Sequence, residues 1–220
     1  MKFPPSRLPR WACVAALCAG LAPAWAIQIG GIDYATAGPA ETLVADFVAS
    51  SGALTLNDYQ GYVLLNIRGS GFSLGPRMND AFHLYTGGPV ESPGSFYQLV
   101  VTRSGSVELG GDAGANDSAR RFIVYDLDAG MAVSAPHVPA YRSDHRYQVV
   151  INSALLSGTS HRLRFGVSDG FYGDNGGRFE IDITPLGVQT PVPEPASAWL
   201  LLAGLGVALR RHQRAAASPA

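Results

Sequence analysis

The sequence predicts an all-β ectodomain, an antiparallel β-sandwich of jelly-roll or lectin-like type. The first observation behind this is a hydrophobic period of two. Arg178-Phe179-Glu180-Ile181-Asp182-Ile183 alternates without a break, with three apolar residues on one side and three charges on the other. Leu163, Phe165 and Val167 alternate with Arg162, Arg164 and Gly166, and Tyr147, Val149 and Ile151 alternate with Arg146, Gln148 and Val150. Such runs are strands with one face buried and one wet. The second observation is turn chemistry between them: Gly69-Ser70-Gly71, Gly87-Gly88-Pro89, Gly110-Gly111-Asp112 and Asp174-Asn175-Gly176-Gly177. Glycine supplies positive φ there, and Asn and Asp supply local side-chain bonds. The third is the lack of a clear amphipathic helical pattern; only 41–50 is ambiguous. Many short strands without helices pack as sheet on sheet.

The chain opens with a targeting segment, residues 1–26. Lys2, Arg7 and Arg10 give a positive start, residues 11–21 are apolar, and Ala24-Trp25-Ala26 fits the small-x-small rule of signal peptidase, with Ile27 the new first residue. Cys13 and Cys18, the two cysteines, both lie in this removed piece. The mature domain therefore has no disulfide, no thiol nucleophile and no cysteine metal site.

The ectodomain is expected over 27–184, with strands at 41–48, 61–67, 80–86, 95–103, 121–126, 146–151, 161–167 and 178–183. Between residues 27 and 190 there are ten arginines, no lysine and sixteen carboxylates, a net charge near −6. An acidic domain is a poor nucleic-acid binder.

Residues 185–195 read as a proline-rich linker. Pro191, Pro193 and Pro195 hold it extended. An apolar run at 196–209 follows, then a basic tail at 210–220 with Arg210, Arg211 and Arg214. At ~1.5 Å per residue the run spans about 21 Å, short of a hydrocarbon core of ~30 Å, so snorkelling arginines or a thinned bilayer must make up the difference. Trp199 suits the headgroup interface, and the arginines belong in the cytoplasm, which places the domain outside it.

Val192-Pro193-Glu194-Pro195, the apolar run and the arginine cluster together resemble the PEP-CTERM sorting signal. In that bacterial family an exosortase, a membrane transpeptidase-like enzyme, recognises the signal. The resemblance implies export, transient retention in the inner membrane, processing near Pro193-Glu194-Pro195, and a final place at the cell surface or outside it.

The chemistry of the domain is carried by few residues. The stretch from Val167 to Phe179 joins the last two strands and holds Asp169, Asp174 and Asn175. Three oxygen side chains in one tight loop suit calcium, which takes six to eight oxygens, although Asp-Asn-Gly is equally good turn chemistry. The stretch also resembles the C-terminal hairpin of calcium-dependent galactose-binding bacterial lectins. There Asp169 matches the first aspartate, and Asp174 and Asn175 fall on the paired asparagines, which are calcium ligands in that family. The insert before them is shorter here, so the family's backbone ligand is not carried over. Its upstream sugar-contacting residues have no match, so galactose specificity is not carried over either.

Other patterns are weaker. Gly110-Gly111-Asp112-Ala113-Gly114-Ala115-Asn116-Asp117 is oxygen-rich but lacks EF-hand spacing. Gly71-Phe72-Ser73-Leu74-Gly75 matches a nucleophile elbow in letters, yet Pro76 follows where a helix is required. His83, His137, His145 and His161 lack zinc spacing on a helix. Glu41, Glu91, Glu108 and Glu180 are scattered, whereas a glycosidase needs two carboxylates facing one cleft. Tyr85, Tyr97, Tyr141, Phe171 and Tyr172 could stack on sugar rings. The expectation is a non-catalytic surface or matrix protein that binds carbohydrate or fills a structural role in extracellular polysaccharide, with calcium as the candidate cofactor. A secreted β-sandwich hydrolase acting on polysaccharide is the alternative.

Overall fold

A computed structural model describes residues 26–72, 78–85, 98–103 and 118–189. The sorting segment with Val192, Pro193, Glu194 and Pro195, the span 196–209, the cluster Arg210, Arg211 and Arg214, and the signal segment apart from Ala26 lie outside these residues. So do Tyr97, Ser73, Glu91, Glu108 and the loop 110–117. Among the described residues there is no α-helix, and none of their helices is long and apolar enough to cross a membrane.

The described residues form fourteen strands and three 3₁₀ turns. The strands are β1 (Ile27–Ile29), β2 (Ile32–Thr36), β3 (Glu41–Asp46), β4 (Ala53–Asp58), β5 (Tyr62–Arg68), β6 (Gly71–Phe72), β7 (Met78–Asn79), β8 (Leu84–Tyr85), β9 (Leu99–Thr102), β10 (Ile123–Asp126), β11 (Met131–Ala132), β12 (Arg146–Asn152), β13 (Arg162–Val167) and β14 (Gly176–Val188). All pairings are antiparallel. An eleven-stranded sheet centres on β12, β5 and β14, and a three-stranded sheet runs β4-β13-β9.

The alternation read from the sequence fixes which side chains go inward. Phe179, Ile181 and Ile183 of β14 and Val63, Leu65 and Ile67 of β5 join Tyr147, Val149 and Ile151 of β12 in one core. Leu163, Phe165 and Val167 of β13 and Leu99 and Val101 of β9 close it from the small sheet. The fold is thus an antiparallel sandwich with unequal layers. Each fully buried aliphatic or aromatic side chain contributes about 1.5–3 kcal/mol.

Glu41 staples the layers. It sits on β3 of the large sheet, yet its carboxylate accepts from the amides of Leu56 (2.5 Å) and Asn57 (3.1 Å), from Asn57 Nδ2 (3.0 Å) and from the Tyr59 hydroxyl (3.1 Å). Burial first, and then Glu41, pushes the Tyr59 phenol up to about 12.

A second, smaller core lies on the opposite face of the large sheet. Ile27 and Ile29 of the β1–β2 hairpin pack with Val150 and Leu186, with Leu64 and Tyr125 against them. The hairpin turn is Gly30-Gly31, at φ 59° and 81°, the left-handed geometry a tight two-residue hairpin demands.

The structure corrects several sequence expectations. The domain does not end at Thr184, because β14 runs on to Val188 and pairs Leu186 with Thr36 and Val188 with Tyr34. Pro185 looks like a stop because it lacks an N–H, but its carbonyl still accepts from Ala37 at 2.8 Å. The chain divides into Met1–Val188 and Gln189–Ala220, and the strand takes up residues 185–188 of the expected linker. The expected strand 80–86 is two short strands around a turn, because Asp80 folds back on the amides of Phe82 and His83. Strands β1, β2, β4, β6 and β11 fall outside the expected ranges. The ambiguous stretch 41–50 is a strand as far as Asp46.

Gly177 (φ 107°) packs its Cα side against backbone. An added Cβ would lie 2.4 Å from Gly71 Cα and 2.5 Å from Ser70 O. Gly177→Ala is therefore expected to destabilise the domain by about 3 kcal/mol, from overpacking and positive φ together. Equilibrium urea unfolding measures this; an unchanged midpoint contradicts it.

Candidate functional site

Outer-face residues of the large sheet form rows across β12, β5 and β14. One row is Val150, Leu64 and Thr184; the next is Gln148, Asn66 and Asp182; the last is Arg146, Arg68 and Glu180. The face grades from apolar, where the β1–β2 hairpin covers it, to polar and then charged. The charged end lies at the end of β14 remote from Val188.

Residues 141–148 wall this end. The turn closes with His145 N donating to Arg142 O at 3.0 Å. The Arg142 guanidinium forks onto Asp144 with both bonds at 3.1 Å, and its third nitrogen reaches Asp128 at 3.2 Å. Those carboxylates also orient backbone: Asp144 accepts from Arg146 N and Asp128 from Gln148 N. The bond to Arg142 holds the Asp144 carboxyl below the usual range, and Asp144 and Asp128 raise the guanidinium in turn. On the facing strands Arg68 Nε donates to Glu180 at 2.7 Å, Arg68 lies 3.6 Å from Asp182, and Thr42 Oγ1 donates to Asp182 at 2.7 Å.

A groove of about 480 Å³ runs between them, lined by Arg68, Arg142, Arg146, Asp128, Asp144, Asp182, Asn66 and Gln148 among others. A second depression of about 360 Å³ shares Arg68, Asp144 and Arg146 and extends to Ser70, Arg178 and Glu180. Counting both, four arginines face four carboxylates, so the surface is locally neutral in an acidic domain. Donors and acceptors alternate at fixed positions, which suits ligands whose hydroxyls both donate and accept. An apolar cavity of about 710 Å³ adjoins it at Asn66 and Gln148, lined by Ile27, Leu64, Tyr125, Leu127 and Leu186.

Behind the 141–148 wall sits a polar cluster. Asp80, whose side chain is fully buried, accepts from the amides of Phe82 (2.9 Å) and His83 (2.8 Å), from the Tyr147 hydroxyl (2.7 Å) and from His145 Nδ1 (3.1 Å). Burial alone would raise its carboxyl. The bonds from His83, the Phe82 amide, Tyr147 and His145 outweigh that and hold it below the usual range. Burial, followed by Asp80, pushes the Tyr147 phenol up. Since Asp80 only accepts, His145 donates to it from Nδ1, and its Nε2 shares a hydrogen bond with the Tyr85 hydroxyl at 3.2 Å. His145 holds φ 50°, a conformation non-glycine residues seldom adopt. Its ring stacks on Tyr85 at 4.9 Å, and Tyr141 packs on Tyr85, His83 and His145 at 5.5–6.0 Å. Tyr141 remains 39 % exposed, so an aromatic edge borders the wall.

The sequence-predicted residues divide. Of the aromatic candidates, Tyr85 and Tyr141 come together, Phe171 stands exposed alone in its loop, and Tyr172 is buried with its hydroxyl on Val167 O. Among the calcium candidates, Asp169 and Asn175 are buried and Asp174 is exposed. Asp169 Oδ1 accepts from the amides of Gly170 and Phe171. Asn175 Nδ2 donates to Phe47 O, and its Oδ1 is buried with no hydrogen-bond partner among the described residues. No group of three or more His, Cys, Asp or Glu placed to hold a metal occurs among the described residues. His137 pairs with Asp126 at 2.8 Å, and His161 is exposed. Glu41 is consumed in the inter-sheet staple and Glu180 in the pair with Arg68. The groove arginines were missed, because outward charges on alternating strands read individually as solvated faces.

Comparison with known families matches residues 191–214 to the PEP-CTERM protein-sorting motif. No match was found among curated proteins or among solved structures.

Proposed function

From the premise of an exported chain that carries a PEP-CTERM sorting motif, is sorted through the membrane and is processed by an exosortase, we propose a non-catalytic carbohydrate-binding protein of the cell surface or extracellular matrix. The observation that supports this is the locally neutral, hydrogen-bonding groove walled by residues 142–148, with Tyr141, exposed, preceding the groove residue Arg142 in the chain. Sugar hydroxyls donate and accept at once, and they match alternating guanidinium and carboxylate groups without a net charge to neutralise. An aromatic edge offers a face for ring stacking. The ligand is extracellular polysaccharide, and the carboxylates of the groove are engaged by arginine rather than poised as an acid–base pair. Signal peptidase removes residues 1–26, and the 196–209 span holds the chain until exosortase acts.

The test is retention of the protein on polysaccharide from the producing cells, with reducing ends assayed in parallel. Retention without product release is expected. Arg142→Ala, which removes the fork on Asp144, should weaken retention at least tenfold. Released reducing ends would establish the hydrolase alternative instead.

Calcium belongs to the same reading. Asp169, Asp174 and Asn175 are the residues that would hold it, and the support is the buried Asn175 Oδ1, an acceptor that a cation would satisfy. The ion would tie the β13–β14 connection to the edge of the sheet. At one hundred times its dissociation constant calcium should add about 2.7 kcal/mol, seen as a higher melting temperature than in chelator. Asn175→Ala should abolish the difference. Identical melting with and without the ion would remove calcium from the account.

A further inference from the structure

We infer that the groove recognises sugars bearing a carboxylate, and that Arg146 takes that group; the inference rests on the carbohydrate reading. Arg146 and Arg68 are direct cross-strand partners in the β12–β5 ladder. Opposed like charges destabilise a sheet, so this pair breaks a local rule that most surfaces obey. Arg68 is neutralised by Glu180 and Asp182. Asp144 lies next to Arg146 in sequence, but its carboxylate is held by the Arg142 fork. Arg146 has no ion-pair partner among the described residues and is exposed. It also lines both depressions, where they meet.

One guanidinium without an ion pair therefore stands among groove charges that are paired, because Arg68 and Arg142 each hold two carboxylates. A planar guanidinium presents two parallel N–H groups to a carboxylate, and a bound uronate would relieve its repulsion from Arg68. The acidity of the rest of the domain does not prevent this. Charges beyond about 8 Å are largely screened at physiological ionic strength, so the ligand meets the local field.

The experiment compares binding of the whole chain, purified in detergent, to an oligogalacturonate and to the same oligomer with its carboxyls reduced to alcohols. At least tenfold tighter binding of the acidic oligomer is expected. Arg146→Gln should erase that preference, and Arg178→Gln should keep it. Equal binding of the two oligomers by the unmodified protein overturns this inference and leaves the carbohydrate reading standing. Binding of neither overturns both. A preference that survives Arg146→Gln overturns the assignment to Arg146.

Discussion

Asp80→Ala is expected to cost about 4 kcal/mol of unfolding free energy. The side chain is fully out of water, and its two oxygens serve two amides, a tyrosine hydroxyl and a histidine ring. Removing a buried charged acceptor strands each of those donors, at about 1–3 kcal/mol per group with partial relaxation. Against a total stability of about 5–15 kcal/mol, a loss of this size is readily measured by urea unfolding at neutral pH. Asp80→Asn should cost roughly half as much, since one amide oxygen can still accept from the Phe82 and His83 amides. A change below 1 kcal/mol in the alanine variant would mean the cluster does not hold the 78–85 hairpin.

The same carboxylate predicts a pH dependence, and its sign follows from the direction of the shift. The folded carboxyl titrates below the unfolded one. Its stabilisation is complete above the unfolded value, near pH 4 for aspartate, and is lost as pH falls through the lower folded value. Below about pH 4 the unmodified protein should lose stability more steeply than Asp80→Asn. Parallel curves for the two proteins would contradict the assignment.

Glu41→Ala is expected to cost about 3 kcal/mol, or roughly 6–12 °C in melting temperature for a domain of this size. Its four donors belong to β4 and to the residues just after it, so the loss is felt where the small sheet meets the large one. Glu41→Gln should fall between, because an amide keeps one acceptor and turns N–H groups toward donors. A melting temperature unchanged by Glu41→Ala would show that core packing alone fastens the layers.

The fold was more legible than the site. Phe179, Ile181 and Ile183 could be assigned to the interior from alternation alone, and the structure buries all three completely. The β1–β2 hairpin has one local signal, Gly30-Gly31 between Ile-Gln-Ile and Ile-Asp-Tyr, and its strands are too short for alternation to mark them. The last strand runs four residues past the expected domain end, because Pro185, which has no N–H to give, keeps its carbonyl in the sheet. Histidines without zinc spacing gave no hint that His83 and His145 converge on Asp80.

The sequence by itself determined that the domain is all-β, which face of each strand is wet, and which sorting motif the chain carries. These are local properties: the pleat turns every second side chain outward, and the motif is contiguous. Which wet residues meet was decided only by tertiary structure. Arg68 finds Glu180 across 112 residues of chain and Tyr147 finds Asp80 across 67. Those meetings depend on strand register, and register is fixed only when both faces of the large sheet find their cores.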